Sequence, residues 1–317
     1  MAEMGRGQLV GQAAERFSFE HLARLIETDY KVNRRRSFKR LRTSLGHLRS
    51  FFAHSRAHEI TTDRIRLYID TRQQEGAANA SIQKELAALK RAFNLAIQAE
   101  QVSTKPHIPS VKVSNTREGF FEPAELERVI KELPDYLAPL VRFAALTGWR
   151  RGEVLPLQWG QVDFVAGVVR LAPGTTKNEE GREFPFRSLP ALDDLLEAQR
   201  AQTRLLERER GQIIPHVFHR NGRPIKSIRK AWNRACERAG LAGWLFHDLR
   251  RTAVRNYEGA GVPRSVAMKL TGHKTESVYR RYAIADKRAL EEGVAKLARL
   301  YDTIGEVGSS TVLPRTG

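Results

Sequence analysis

The sequence contains a single cysteine, Cys236, in 317 residues. A lone cysteine forms no intramolecular disulfide and supplies no cysteine-based zinc site, so the expected setting is a reducing interior, a cytoplasm. Long apolar runs are missing as well. None approaches the roughly 18 residues that suggest a bilayer span, and the N-terminal MAEMGRGQLVGQAAERF lacks the apolar stretch of a secretory signal. No internal repeat and no glycine-rich nucleotide loop is present. Acid is scarce: 36 Asp and Glu face 54 Lys and Arg, giving a net charge of +18 and a pI near 10.4. Such a balance makes a polyanion the expected partner, nucleic acid ahead of a membrane surface, and argues against acidic substrates.

What remains is a globular chain with 41% hydrophobic residues, long enough for about two domains at roughly 150 residues each. The basic excess is divided evenly between residues 1–118 and 119–317, which suggests two surfaces facing one polyanion, a clamp. The expected organisation is a flexible leader over 1–16, a helical unit over 17–104, a linker over 105–119, a second unit over 120–286, an amphipathic helix over 287–304 and a disordered tail over 305–317.

In the first unit, Ile82, Leu86, Leu89, Phe93 and Ile97 mark one face of a helix over 79–100, with Asn79 as its cap. The opposite face carries Lys84, Lys90 and Arg91 beside one acid, Glu85, which favours DNA over a merely solvated surface. The run RRRSFKRLR, with Arg34, Arg35, Arg36, Lys39 and Arg42, leads into a helix ending near Phe52 and reads as a phosphate-tracking helix. Thr62 opens another helix, which stops at Glu75-Gly76. Lys112 lies in the proline-containing linker and belongs to the same set of candidate DNA contacts.

Pro123 restarts helical structure. A β-rich interruption follows: Val168 to Leu171 is extended, Asn178 to Gly181 is turn chemistry, and Glu183 to Phe186 is a second short strand. Lys177 stands just before the turn. In the segment Lys287 to Tyr301, Leu290, Val294, Leu297 and Leu300 share a face that must bury against something.

Three segments combine unusual residue types. In TGWRRGE, Arg150 and Glu153 are three apart, so a carboxylate can hold a guanidinium fork. In FHDLR, His247 and Arg250 have the same spacing. In LTGH followed by Tyr282, Gly272 can close one helix and Thr275 cap the next. Two arginines, two histidines, a hairpin lysine and a tyrosine, without paired acids or a metal-ligand pattern, suit phosphodiester exchange through a phosphotyrosine. Fixed guanidiniums stabilise the equatorial oxygens of a pentacoordinate transition state. A free tyrosine with pKa ~10 is ionised about one part in a thousand at pH 7, a deficit of roughly 4 kcal/mol that neighbouring cations and a histidine can offset.

TGWRRGE, TKNEEGR, HDLR and TGH-x8-Y, in this order, resemble the tyrosine recombinase (phage integrase) family over about Phe120 to Ala285, and the helical unit before them resembles its core-binding domain. The resemblance implies a mainly α fold: a SAM-like helical core-binding domain, then a mostly helical α+β catalytic domain with a small β-hairpin, forming a C-shaped clamp around DNA. It also implies roles. Arg150 and Arg250 clamp the scissile phosphate, Lys177 protonates the leaving 5′-oxygen and His247 assists proton transfer. His273 donates to a phosphate oxygen, Tyr282 is the nucleophile, and Glu153 orients the pocket from behind. The implied activity is site-specific recombination of a mobile element, without metal or other cofactor. Its partners would be duplex recombination sites, a homotetramer assembled on DNA from a chain that is monomeric in isolation, and accessory DNA-bending proteins. The cytoplasmic chain would be nucleoid-associated, and the helix from Lys287 would dock on the next protomer.

Rival readings stand beside these. Arg151 competes with Arg150, but only Arg150 fits the register with Glu153, and Tyr279 competes with Tyr282 as packing. His216, His219 and Cys236 read as structural, and a zinc site from His219, His247, Asp248 and His273 lacks the usual ligand spacing. Thr271 stands where the family often has Leu and is expected to matter little. Many members of the family begin with a small arm-binding domain, and the residues before Phe17 are too few to form one; either this member does without it or the sequence is shortened, and arm-site binding is left open. A type IB topoisomerase and a silent DNA-binding protein are the alternatives in function.

Overall fold

The computed structural model describes residues 17–113, 119–172 and 181–282, with 291, 294, 295, 298 and 299 beyond them. The chain divides into two compact units, residues 1–116 and 117–317.

The first unit is built from α1 (Phe19–Val32), α2 (Phe38–Phe52), α3 (Thr62–Gln74) and α4 (Asn79–Gln98). Apolar residues at helical spacing turn one stripe of each helix inward. Leu22 and Ile26 of α1, Leu45 and Leu48 of α2, Ile65 of α3 and Ile82, Leu86, Leu89 and Phe93 of α4 form one core, each worth about 1.5–3 kcal/mol on burial. Thr61 caps α3 by accepting from the Arg64 amide, and Gly76, at φ +79°, lets the chain turn after it.

The polar side chains of this unit differ from the sequence expectation at several points. Asn79 is not the cap of α4; Ala78 holds that position, and the Asn79 amide instead donates to the Lys112 carbonyl at 2.8 Å. Arg34, Arg35 and Arg36 precede α2 rather than belonging to it, because the chain turns through Arg34 at φ +46°. Glu85 is buried on the core side, where Tyr68 Oη donates to it at 2.6 Å and Arg72 from two nitrogens at 3.2 Å. Burial and the neighbouring Glu85 carboxylate push the Tyr68 phenol well above its ordinary value. Arg91 holds Asp29 in a fork, Nη2 at 2.8 Å and Nε at 3.1 Å, and Arg35 pairs with the same carboxylate at 3.3 Å. Arg34, Arg36, Lys39, Arg42, Lys84, Lys90 and Lys112 are exposed.

The second unit opens with α5 (Pro123–Lys131), with Pro at its first position, and centres on α6 (Ala138–Thr147). Leu140, Val141, Phe143 and Ala144 of α6 are buried. Around it stand α7 (Arg151–Val154), the sheet β1 (Val162–Asp163), β2 (Val168–Leu171) and β3 (Arg182–Pro185), and α8 (Pro190–Arg210). A hairpin of β4 (His219–Arg220) and β5 (Arg223–Pro224) follows, then α9 (Arg229–Arg238), α10 (Asp248–Gly259), α11 (Arg264–Thr271) and α12 (Glu276–Tyr279). The sheet is antiparallel in the order β1-β2-β3, with Val169 opposite Phe184 and Leu171 opposite Arg182. β3 thus begins one residue earlier than the sequence suggests. Its Pro185, which has no N–H, sits at the end of an edge strand.

Cys236 is core. His219 is buried against Thr203 at 3.0 Å. Among the described residues no three His, Cys, Asp or Glu side chains gather as a metal site, and no helix is long and apolar enough to cross a membrane. The expected amphipathic helix from Lys287 falls mostly outside the described residues; Val294 within it is exposed. Lys177 and the turn residues 178–180 also lie outside them.

Candidate active site

Two Thr-Gly pairs shape the site. α6 ends at Gly148 (φ +65°) and α11 at Gly272 (φ +71°), both left-handed helix caps. Both positions are crowded. A Cβ on Gly148 would stand 2.9 Å from the Ala253 Cβ, and one on Gly272 would overlap Arg182 Nη1. The first cap turns Trp149 into the core, 2% exposed, and sets Arg150 as the N-cap of α7. Arg150 and Glu153 are therefore joined across a helix start rather than along a helix face. The Arg150 amide donates to Glu153 Oε2 at 2.7 Å, and its Nη1 to Oε1 at 3.1 Å. Arg151 points to solvent.

The last carbonyls of α11 lack intrahelical donors and carry the negative end of the helix dipole, so cations and N–H groups collect there. Trp149 Nε1 donates to Leu270 at 3.1 Å, Arg150 Nη2 to Gly272 at 3.2 Å, and Arg182 Nη1 to Thr271 at 2.7 Å. Arg250, 1% exposed, donates from Nη1 to Thr271 at 2.6 Å and to Gly148 at 2.7 Å. Its Nε and Nη2 donate to His273 Nε2 at 3.2 and 3.0 Å.

Arg182 is the residue that sequence reasoning missed. Its guanidinium pairs with Glu153, stacks 4.7 Å from the Trp149 ring and ties the first residue of β3 to the α11 cap. Strand alternation was the available signal, since Arg182 is two residues from the buried Phe184 and so faces inward. Burial alone would raise the Glu153 carboxyl, but Arg182, the Arg150 amide and the Arg150 guanidinium together hold it below the usual range. Burial, together with Arg150 and Arg182, pushes Arg250 down to about 9. Arg251 is 9% exposed, and its Nε and Nη1 have no hydrogen-bond acceptor among the described residues. The guanidiniums of Arg150, Arg182 and Arg250 thus converge around the one Glu153 carboxylate, with Arg251 beside Tyr282, an electrostatic preference for an anion.

Tyr282 faces this cluster. Its Oη lies 2.8 Å from His247 Nε2, and the Arg250 and Arg251 guanidinium carbons lie 5.6 and 5.7 Å from its ring centre. Burial, with Arg250 next in weight, lowers the His247 pKa. The imidazole is therefore neutral near pH 7 and able to accept a phenolic proton. Tyr279 is fully buried, edge-on to the His273 ring at 5.2 Å, in a packing position. His273 is pushed down to about 3 by burial and then by Arg250, Arg150 and Arg182. Its Nε2 accepts from Arg250, whereas the resemblance assigns it donation to phosphate. Thr271, expected to matter little, is fully buried and hydrogen-bonded to His273 Nδ1 at 2.7 Å. Of the predicted site residues, Arg150, Glu153, His247, Arg250, His273 and Tyr282 come together in one pocket.

Fold and site define a helical, two-unit protein whose second unit sets a histidine-bound tyrosine against an arginine cluster. Residues 120–288 match the phage integrase family, and residues 28–100 match the N-terminal SAM-like domain of phage integrases. The chain belongs to the phage integrase family. It is 30% identical over 212 residues to the integrase of Salmonella phage P22, covering 62% of this chain and 52% of that protein. It is 28% identical over 240 residues to the shufflon-specific DNA recombinase of Escherichia coli, covering 71% and 58%. The chain thus spans between half and two thirds of the length of these relatives. The fold resembles that of a lambda integrase tetramer bound to a Holliday junction, with a TM-score of 0.69 at 19% identity over 87% of this chain and 80% of that one.

Proposed function

We propose that the protein is a site-specific DNA recombinase that cuts and rejoins strands through a 3′-phosphotyrosine and so integrates or excises a mobile element. The observation that carries this reading is the Tyr282 Oη to His247 Nε2 contact of 2.8 Å at the edge of the arginine cluster. His247 takes the phenolic proton, and Tyr282 Oη attacks the phosphorus. Arg150 and Arg250 stabilise charge on the non-bridging oxygens, and Lys177 protonates the departing 5′-oxygen. One phosphodiester becomes another, so the exchange needs no energy source or cofactor. A 5′-hydroxyl of the partner duplex reverses the step.

Duplex DNA is the substrate, with phosphate contacts from Arg34, Arg36, Lys39, Arg42, Lys84, Lys90 and Lys112. Arg35 and Arg91 contribute less, because Asp29 already holds them. Exchange between two duplexes requires four protomers. The tetramer of the lambda enzyme on a Holliday junction supports that assembly, and the helix from Lys287 is its candidate contact. Accessory DNA-bending proteins and nucleoid association accompany this reading.

The test is a nicked suicide substrate made from the boundary DNA of the element that encodes the chain, resolved on a denaturing gel. Wild type should form a covalent adduct that Tyr282→Phe does not form, and paired sites should recombine. Adduct with supercoil relaxation but no recombination would indicate a topoisomerase, and tight binding without adduct a silent DNA-binding protein.

A further inference from the structure

Thr271 sits inside the pocket with a hydroxyl that has one proton and two close partners. Its Oγ1 lies 2.7 Å from the Ala267 carbonyl and 2.7 Å from His273 Nδ1. A carbonyl can only accept, so the hydroxyl proton goes to Ala267. Oγ1 must then accept from His273, which places the imidazole proton on Nδ1 and leaves a bare lone pair on Nε2. That lone pair receives Nε and Nη2 of Arg250 at 3.2 and 3.0 Å. The order of donation is Arg250 to His273 to Thr271 to Ala267, and it closes on a backbone carbonyl of α11. The other Arg250 nitrogen, Nη1, is divided between Gly148 and Thr271. The guanidinium therefore commits four of its five N–H groups to the protein, which fixes the direction of the fifth.

We propose that Thr271 is a positioning residue: its hydroxyl sets the Nδ1–H tautomer of His273, and through it the orientation of the Arg250 guanidinium that meets the phosphate. The proposal rests on the recombinase reading for its consequence in catalysis, but the tautomer belongs to the DNA-free chain. Without the hydroxyl, a buried Nδ1–H loses its acceptor. The opposite tautomer would aim an N–H at the Arg250 donors, and the guanidinium would have to turn away.

The experiment compares the full chain with Thr271→Val, which keeps the shape, and Thr271→Ser, which keeps the hydroxyl. Nitrogen-15 NMR of the DNA-free protein, with the His273 signals assigned through His273→Gln, should show Nδ1 protonated and Nε2 bare in wild type and Thr271→Ser. Thr271→Val should show averaged or reversed tautomers. On the suicide substrate, Thr271→Val should form adduct roughly tenfold more slowly, the loss of about one net hydrogen bond, with DNA affinity unchanged and Thr271→Ser near wild type. An Nε2–H tautomer in wild type, an unchanged tautomer in Thr271→Val, or a serine variant as slow as the valine variant would overturn the proposal. Absence of any adduct from wild type would instead remove the recombinase reading, leaving the NMR result to decide the tautomer.

Discussion

Replacing Arg182 by leucine removes a buried guanidinium that joins three segments: β3, the start of α7 through Glu153, and the α11 cap through the Thr271 carbonyl. Stacking on Trp149 is lost with it. Breaking a buried ion pair by deleting one partner typically costs about 3–5 kcal/mol. Arg150 still neutralises Glu153 here, with Nη1 at 3.1 Å, so the expected cost lies at the lower end, about 3 kcal/mol. In a unit of this size each kcal/mol shifts Tm by about 2–4 °C, so a thermal melt should fall by roughly 6–12 °C. A double-mutant cycle with Glu153→Gln should return a coupling of about 1–3 kcal/mol, because the two side chains share one contact. A melt within about 2 °C of wild type, or additive effects, would refute the claim that Arg182 locks the pocket together.

Gly272→Ala places a Cβ against Arg182 Nη1 and forces a left-handed residue to carry it. The backbone alone costs about 1–2 kcal/mol, and adduct formation should fall further than stability, as a melt and the suicide substrate would show in parallel. DNA affinity should drop about 10³–10⁵-fold between 50 and 200 mM salt if each protomer meets about 6–10 phosphates; a shallow slope in a titration would count against the exposed cations as the footprint. The lowered pKa of His247 means that cleavage, followed against pH, should fall only as the pH drops below about 6.5. His273, at about 3, has the same sign. Both histidines bind protons more readily when unfolded, so their contribution to stability is complete above about pH 6.5 and declines from there toward pH 3. A stability, measured by chemical denaturation, that rose as pH fell through this window would contradict their buried, neutral state.

Helical spacing was enough to outline α3 and α4, because an apolar stripe at the right period has one way to bury itself, and Pro123 marked the start of α5. The pocket was legible through Arg150, His247, Arg250, His273 and Tyr282, whose motifs keep their spacing along the chain. What stayed hidden were contacts between segments distant in sequence. Nothing local links Arg182 to the carbonyl of Thr271, 89 residues away, or Arg91 to Asp29, 62 residues away. The Thr271 contact stayed hidden for a related reason: its place before a helix cap was visible, but its hydroxyl contact with His273 depends on the turn that the left-handed Gly272 makes. The two-residue strands β1, β4 and β5 were missed because they are too short to show alternation.

In the proposed reaction Tyr282, not Tyr279, attacks DNA. Trypsin separates them, since Tyr279 lies in a peptide ending at Arg280 and Tyr282 begins one after Arg281. Mass spectrometry of the nuclease-trimmed, trypsin-digested adduct should find the nucleotide on the peptide beginning at Tyr282. A nucleotide on the peptide containing Tyr279 would contradict the account and require the buried ring to leave its packing site.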